Sequence, residues 1–127
     1  MLLFPGEERY YENCSWAELK PDLMGLKLVC HGECPRENRP LSCRIFPLVI
    51  RAKRQEDGTQ KANISMDIRA WPVCPLMQSG KKGLRAEFVD AVKTAAGLLI
   101  REDKQVAFLI QLNEELKAYE QMRETFL

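Results

Sequence analysis

Five cysteines and a single histidine, His31, are the side chains in this sequence best suited to ligand chemistry. Three residues separate Cys30 from Cys34, Cys43 lies nine positions further on, and Cys74 follows a long alternating stretch. All four fall in or beside loop-like segments rather than within an apolar stripe. A structural cysteine usually replaces a small hydrophobe on a packed face, whereas a metal needs several thiolates converging from irregular backbone. Four thiolates suit tetrahedral zinc or iron, including an iron–sulfur cluster, because these centres prefer soft sulfur donors. The expectation is a metal site of Cys30, Cys34, Cys43 and Cys74. Its spacing is not the paired two-residue spacing of a zinc ribbon. His31 adjoins Cys30 and would strain to share the same ion, so it reads as a polar surface residue. Cys14, in Glu12-Asn13-Cys14-Ser15-Trp16, has no spaced partner and reads as an ordinary half-buried thiol. Arg36, Arg39 and Arg44 run through the same loop, and sulfur ligands are commonly stabilised by donors around them. Arg44, directly after Cys43, is the candidate for that supporting role.

The elements that would position these residues follow from periodicity. Residues 5–13 suggest a short helix, with Pro5 early and Glu7 and Glu8 at its positive end. Residues 14–34 read as irregular, apart from an extended candidate at Leu26–Val29. From Cys34 to Phe46 the prolines and charges predict a loop, with a turn of helix after Pro40. Phe46, Leu48, Ile50 and Ala52 alternate with solvent-tolerant positions, as do Ile64, Met66, Ile68 and Ala70. Asp57-Gly58 lies between them, so the reading is an antiparallel β-hairpin with one buried face. Trp71-Pro72 would end its second strand and return the chain to Cys74 beside Cys43. After Gly80–Gly83, helical stripes appear at Leu84, Phe88, Val92, Ala95 and Leu99. A second stripe runs through Val106, Leu109, Leu112, Leu116 and Tyr119, with Asp103 as N-cap. The predicted class is therefore α+β: cysteine-rich metal-binding loops, one antiparallel β-hairpin and a C-terminal helical hairpin, all in one domain of residues 1–127.

Composition narrows the function. The chain has 127 residues, 46% of them hydrophobic and 29% charged, with a formal net charge of +1. That is ordinary globular composition, and the charge gives no global support for binding nucleic acid, which requires a basic surface. Lys53, Arg54, Lys61, Lys81 and Lys82 read as a solvated rim in loops. The opening Met1-Leu2-Leu3-Phe4 is too short for a signal-peptide core, and no apolar run approaches the ~20 residues that span a bilayer. The expected compartment is the cytoplasm, where cysteines serve as thiols or metal ligands rather than disulfides.

The stretch Arg39-Pro40-Leu41-Ser42-Cys43-Arg44-Ile45-Phe46-Pro47 resembles the RPxxCRxFP core of the cysteine-cluster family of zinc- or iron-chelating domains, which takes in the flagellin lysine N-methylases. Cys30 and Cys34 are similar to that family's cysteine pair before the core, and Cys74-Pro75-Leu76 with Gly80 resembles its later Cys-Pro-Gly element. The family's CxxCxxCC run is absent, and Leu3-Phe4-Pro5-Gly6-Glu7 resembles the region just past it. On that resemblance the chain is expected to be a shortened form, completed upstream or by a partner.

Three functions compete. A fully thiolate-ligated metal has no open position, so it would staple loops in a non-catalytic structural or interaction module. Partners in that case would be an unknown protein or a second copy, met through the C-terminal helices. The resemblance implies an alternative, part of a lysine N-methylase-like enzyme. Yet Gly80-Lys81-Lys82-Gly83 follows no convincing strand, a radical-type CxxxCxxC motif fails at Glu37, and one histidine is too few for a hydrolytic zinc site. The third reading is an iron–sulfur protein for redox or iron handling. Catalysis by this chain alone is not expected.

Overall fold

A computed structural model describes residues 1–32, 34–70, 74, 77 and 80–126, with side chains characterised as far as residue 122. The chain divides into two compact units, Met1–Ile45 and Phe46–Leu127, where the sequence suggested a single domain. Each unit carries buried apolar residues of its own.

In the first unit, Leu3, Tyr11, Ala17 and Leu28 form a buried cluster, with Cys14, Trp16 and Leu19 packed against it. Strands β1 (Ala17–Asp22) and β2 (Gly25–Cys30) supply half of that cluster as an antiparallel hairpin, with Ala17 opposite Cys30 and Asp22 opposite Gly25. The β2 strand contains the extended candidate Leu26–Val29, but β1 was read as irregular. Its charges and Pro21 hide the alternation, and proline is tolerated there because β1 is an edge strand. The other side of β2 is taken by the first residues: Leu3 N donates to Leu26 O at 3.0 Å and Leu28 N to Met1 O at 2.8 Å.

The helix expected over residues 5–13 is only a 3₁₀ turn, Glu7–Tyr10. Gly6 before it has φ 94°, which interrupts a helical path, and the Glu7 and Glu8 carboxylates accept from backbone N–H groups instead of lying along a helix. Glu7 Oε1 accepts from Phe4 N at 2.7 Å, while its Oε2 accepts from Leu41 N at 2.9 Å. One carboxylate thus joins the N-terminal turn to the start of helix α1 (Leu41–Ile45), the turn of helix expected after Pro40.

The second unit begins with the second hairpin, β3 (Leu48–Arg54) and β4 (Gln60–Met66), in the register Leu48↔Met66, Ile50↔Ile64 and Lys53↔Lys61. The turn carries Gly58 at φ 88°, with Asp57 Oδ1 accepting from Thr59 N at 2.9 Å, as the Asp-Gly pair suggested. Strand β4 stops at Met66 rather than Ala70. There Asp67, 4% exposed, accepts from Arg69 N at 2.9 Å and from Arg69 Nε at 3.0 Å, which folds Ile68–Ala70 into a 3₁₀ turn. The hairpin also buries more than one face, since Val49 is as inaccessible as Ile50.

Helix α3 (Asp103–Phe126) lies against β3, and helix α2 (Ala86–Leu99) against β4 and β3. Val92 and Ala96 of α2, and Val106, Leu109, Leu112 and Leu116 of α3, are buried. Tyr119, placed on that stripe by periodicity, is 53% exposed. The cap of α3 lies one residue before Asp103: Glu102 O accepts the first helical bond, from Val106 N at 3.1 Å, and Asp103 Oδ1 instead takes Gln60 Nε2 at 3.2 Å. Asn113, from α3, covers the β3 edge: its Oδ1 accepts from Ala52 N at 3.0 Å and its Nδ2 donates to Ile50 O at 3.3 Å. An uncovered strand edge would present unpaired backbone groups to other chains. The architecture is α+β, two antiparallel hairpins with a helical C-terminal region. Among the described residues no helix is long and apolar enough to cross a membrane.

Candidate metal centre

Three of the four expected ligands belong to the first unit. Cys30 ends β2, and the pairing continues one step beyond it, with His31 N donating to Trp16 O at 2.9 Å. Gly32 then adopts φ 112°, a conformation glycine reaches without strain, and turns the chain towards Cys34. Cys34 Sγ lies 3.8 Å from Pro35 O. A 3₁₀ turn, Arg36–Asn38, leads to α1, where Cys43 N donates to Pro40 O at 3.0 Å. Strand end, loop and helix therefore each contribute one thiol.

The thiols sense one another. Partial shielding from water raises the Cys30 thiol above its ordinary value, and next in order come the charge of Cys34 and a side-chain hydrogen bond with it. Burial is also the main cause raising Cys43; the N-terminal ammonium opposes it, and the charges of Cys30 and Cys34 add to it. Both shifts favour the protonated thiols of Cys30 and Cys43. Among the described residues no group of three or more His, Cys, Asp or Glu side chains is arranged to hold a metal ion. The donor types nevertheless fit zinc or iron, whose binding displaces thiol protons and is therefore coupled to local conformation.

Cys74 belongs to the second unit, half-buried, with its N–H donating to Ala70 O at 2.8 Å and its carbonyl accepting from Met77 N at 3.2 Å. Trp71-Pro72, expected to deliver it, and Pro75-Leu76, part of the resemblance, lie outside the described residues. Arg44 is exposed and organises backbone: its Nε donates to Arg39 O at 2.8 Å and its Nη2 to Glu37 O at 2.6 Å. It thereby sets the loop joining Cys34 to Cys43. His31 is a surface residue whose Nε2 lies 3.5 Å from Glu18 Oε1.

Two residues near the thiols had no sequence signal strong enough to single them out. Cys14 is half-buried, and its charge is one of the influences that raise Cys30. It stands three positions before Ala17, the partner of Cys30, so its proximity becomes legible only once β1 is recognised. Tyr11 donates its hydroxyl to Asn38 O at 2.7 Å. Burial foremost raises its phenol, then the charge of Glu7, with Cys34 and Cys43 among the lesser causes. An open hollow of about 720 Å³ on this unit is lined by Cys14, Tyr11, Trp16, Arg39 and Arg44 among others, and not by Cys30, Cys34 or Cys43. No family model, curated protein or solved structure matches the chain.

Proposed function

We propose that the chain is a thiolate metal-binding module, non-catalytic by itself, in which Cys30, Cys34 and Cys43 form the nucleus of a zinc or iron site. The observation that supports this reading is the placement of those thiols in one unit, where the charge of Cys34 bears on Cys30 and the charges of both bear on Cys43. A metal displaces the protons of such thiols and fixes the loop from Cys30 to Cys43, contributing to folding in the manner of a structural site. The fourth thiolate is Cys74 on the sequence reading, and Cys14 is its rival within the first unit. A closed thiolate set offers no vacancy for substrate, and the three thiols do not line the large hollow on their unit. The module acts in the cytoplasm and meets its partner as a protein surface.

Single serine variants test the ligand set by metal analysis. Cys30→Ser, Cys34→Ser and Cys43→Ser should each lose most of the bound metal. Cys74→Ser should do the same and Cys14→Ser should not; the reverse result would transfer the fourth position to Cys14. Full metal retention in Cys43→Ser would overturn the reading.

A further inference from the structure

A second open hollow, of about 710 Å³, lies on the second unit, and it gathers charge that the sequence appeared to scatter along loops. Among the described residues its lining holds Arg51, Lys53, Arg54, Lys61 and Lys117, against the single carboxylate of Glu114. The whole chain carries a net charge of only +1, so a hollow with five cations and one anion is a marked concentration. Lys53, Arg54 and Lys61 stand on β3 and β4 rather than on loops, and Lys53 is the direct cross-strand partner of Lys61. Like charges placed opposite one another on a sheet face are destabilising, so nothing in the fold of the hairpin requires this pair.

The surrounding carboxylates do not relieve it. Glu114 is engaged by Lys117 at 3.1 Å, and Glu120 is paired with Arg51 at 2.5 Å, which also donates to Ser65 Oγ. In the turn, Asp57 is occupied by Thr59, and neither Glu56 nor Asp57 lines the hollow. Among the described residues no carboxylate pairs with Lys53, Arg54 or Lys61.

We infer that the hollow between the β3–β4 hairpin and α3 binds a polyphosphate chain, with Lys53, Arg54 and Lys61 as its cationic contacts. The volume lies in the range of small-ligand sites. Among the described residues the lining contains no aromatic side chain, so they offer no platform on which bases of a single-stranded nucleic acid would stack. Compact lysine ammonium groups bind phosphate as point charges, and the arginine adds a planar fork for two phosphate oxygens. The phosphate chain is the recognised chemistry, whether free or carried on a nucleoside. This inference does not rest on the metal reading, none of whose cysteines lines the hollow.

Calorimetric titration of the full chain with inorganic tripolyphosphate, at about 0.15 M salt, tests it. Saturable binding below about 1 mM is expected, weakened at least tenfold in the Lys53→Gln/Lys61→Gln double variant. That variant should melt no lower than the parent, because it removes an unfavourable pair, so weakened binding will not reflect unfolding. A nucleoside triphosphate titrated in parallel identifies the source: equal affinity points to the free chain, tighter binding to one borne on a nucleoside. The inference is overturned if tripolyphosphate shows no saturable binding, or if the double variant binds as well as the parent. It is also overturned if an oligonucleotide of about 12 residues binds more tightly than either phosphate ligand.

Discussion

Asn113→Ala examines how α3 holds the second hairpin. The amide is 8% exposed and makes two bonds to the β3 edge, accepting from Ala52 N at 3.0 Å and donating to Ile50 O at 3.3 Å. Truncation removes both partners at once. A buried backbone group left unsatisfied costs about 1–3 kcal/mol. Asn113 borders the hollow beside the hairpin, where water can partly replace the lost amide, so the lower half of that range applies to each group. The expected loss is about 2–4 kcal/mol in total, or about 8–16 °C in melting temperature at roughly 4 °C per kcal/mol. Asn113→Asp should not restore stability: its carboxylate can still accept from Ala52 N but has no donor for Ile50 O. Asn63→Ala, at an exposed position on β4, serves as the control and should fall within about 0.5 kcal/mol of the parent. Urea unfolding followed by circular dichroism measures all three. A loss of less than about 0.5 kcal/mol for Asn113→Ala would refute the role given to this amide in covering the edge.

Two further outcomes follow from the thiol chemistry. In metal-free protein, Cys30 and Cys43 have folded-state values raised above the ordinary 9.0, so they favour the protonated folded state. Their contribution to stability is fully present below that value and is lost as pH rises through the higher folded values. Melting temperature should decline above about pH 9, and alkylation of Cys43 by iodoacetamide should keep accelerating there; an alkylation rate already level at pH 9 would contradict the shift. Titration with S-adenosylmethionine should give no heat of binding up to about 1 mM, where even a site of roughly −4 kcal/mol begins to fill. Saturable binding lost on Cys43→Ser would reverse the non-catalytic reading.

The parts of the fold legible in the sequence were those with strong periodicity. Leu48 and Ile50 against Ile64 and Met66, separated by Asp57-Gly58, defined the second hairpin and the pairing of its apolar positions. The stripe from Val106 to Leu116 defined α3. Boundaries set by single side chains were not legible. Asp67 ends β4 through its bonds to Arg69, and the α3 cap falls at Glu102, because these depend on local hydrogen bonds that no period encodes. Strand β1 was obscured by Pro21 and its charges, and the relation of Cys14 to Cys30 was hidden with it. The residue types of the candidate centre could be read directly from Cys30, Cys34 and Cys43. The role of Arg44 could not: adjacency to Cys43 suggested a donor to sulfur, but its side chain reaches back to the carbonyls of Glu37 and Arg39. The cationic hollow was missed because Lys53 and Lys61 are eight positions apart in sequence and become neighbours only through strand register.

Metal analysis of the parent protein, purified without chelator under reducing conditions, tests the central claim most directly. Elemental content should be measured together with absorbance above 300 nm. The account predicts about one equivalent of zinc with no visible colour, or of iron with the charge-transfer absorbance of thiolate ligation. Removing the metal should lower the melting temperature. A fully folded protein that contains no metal, and that gains neither metal nor stability when zinc or ferrous iron is supplied, would contradict it.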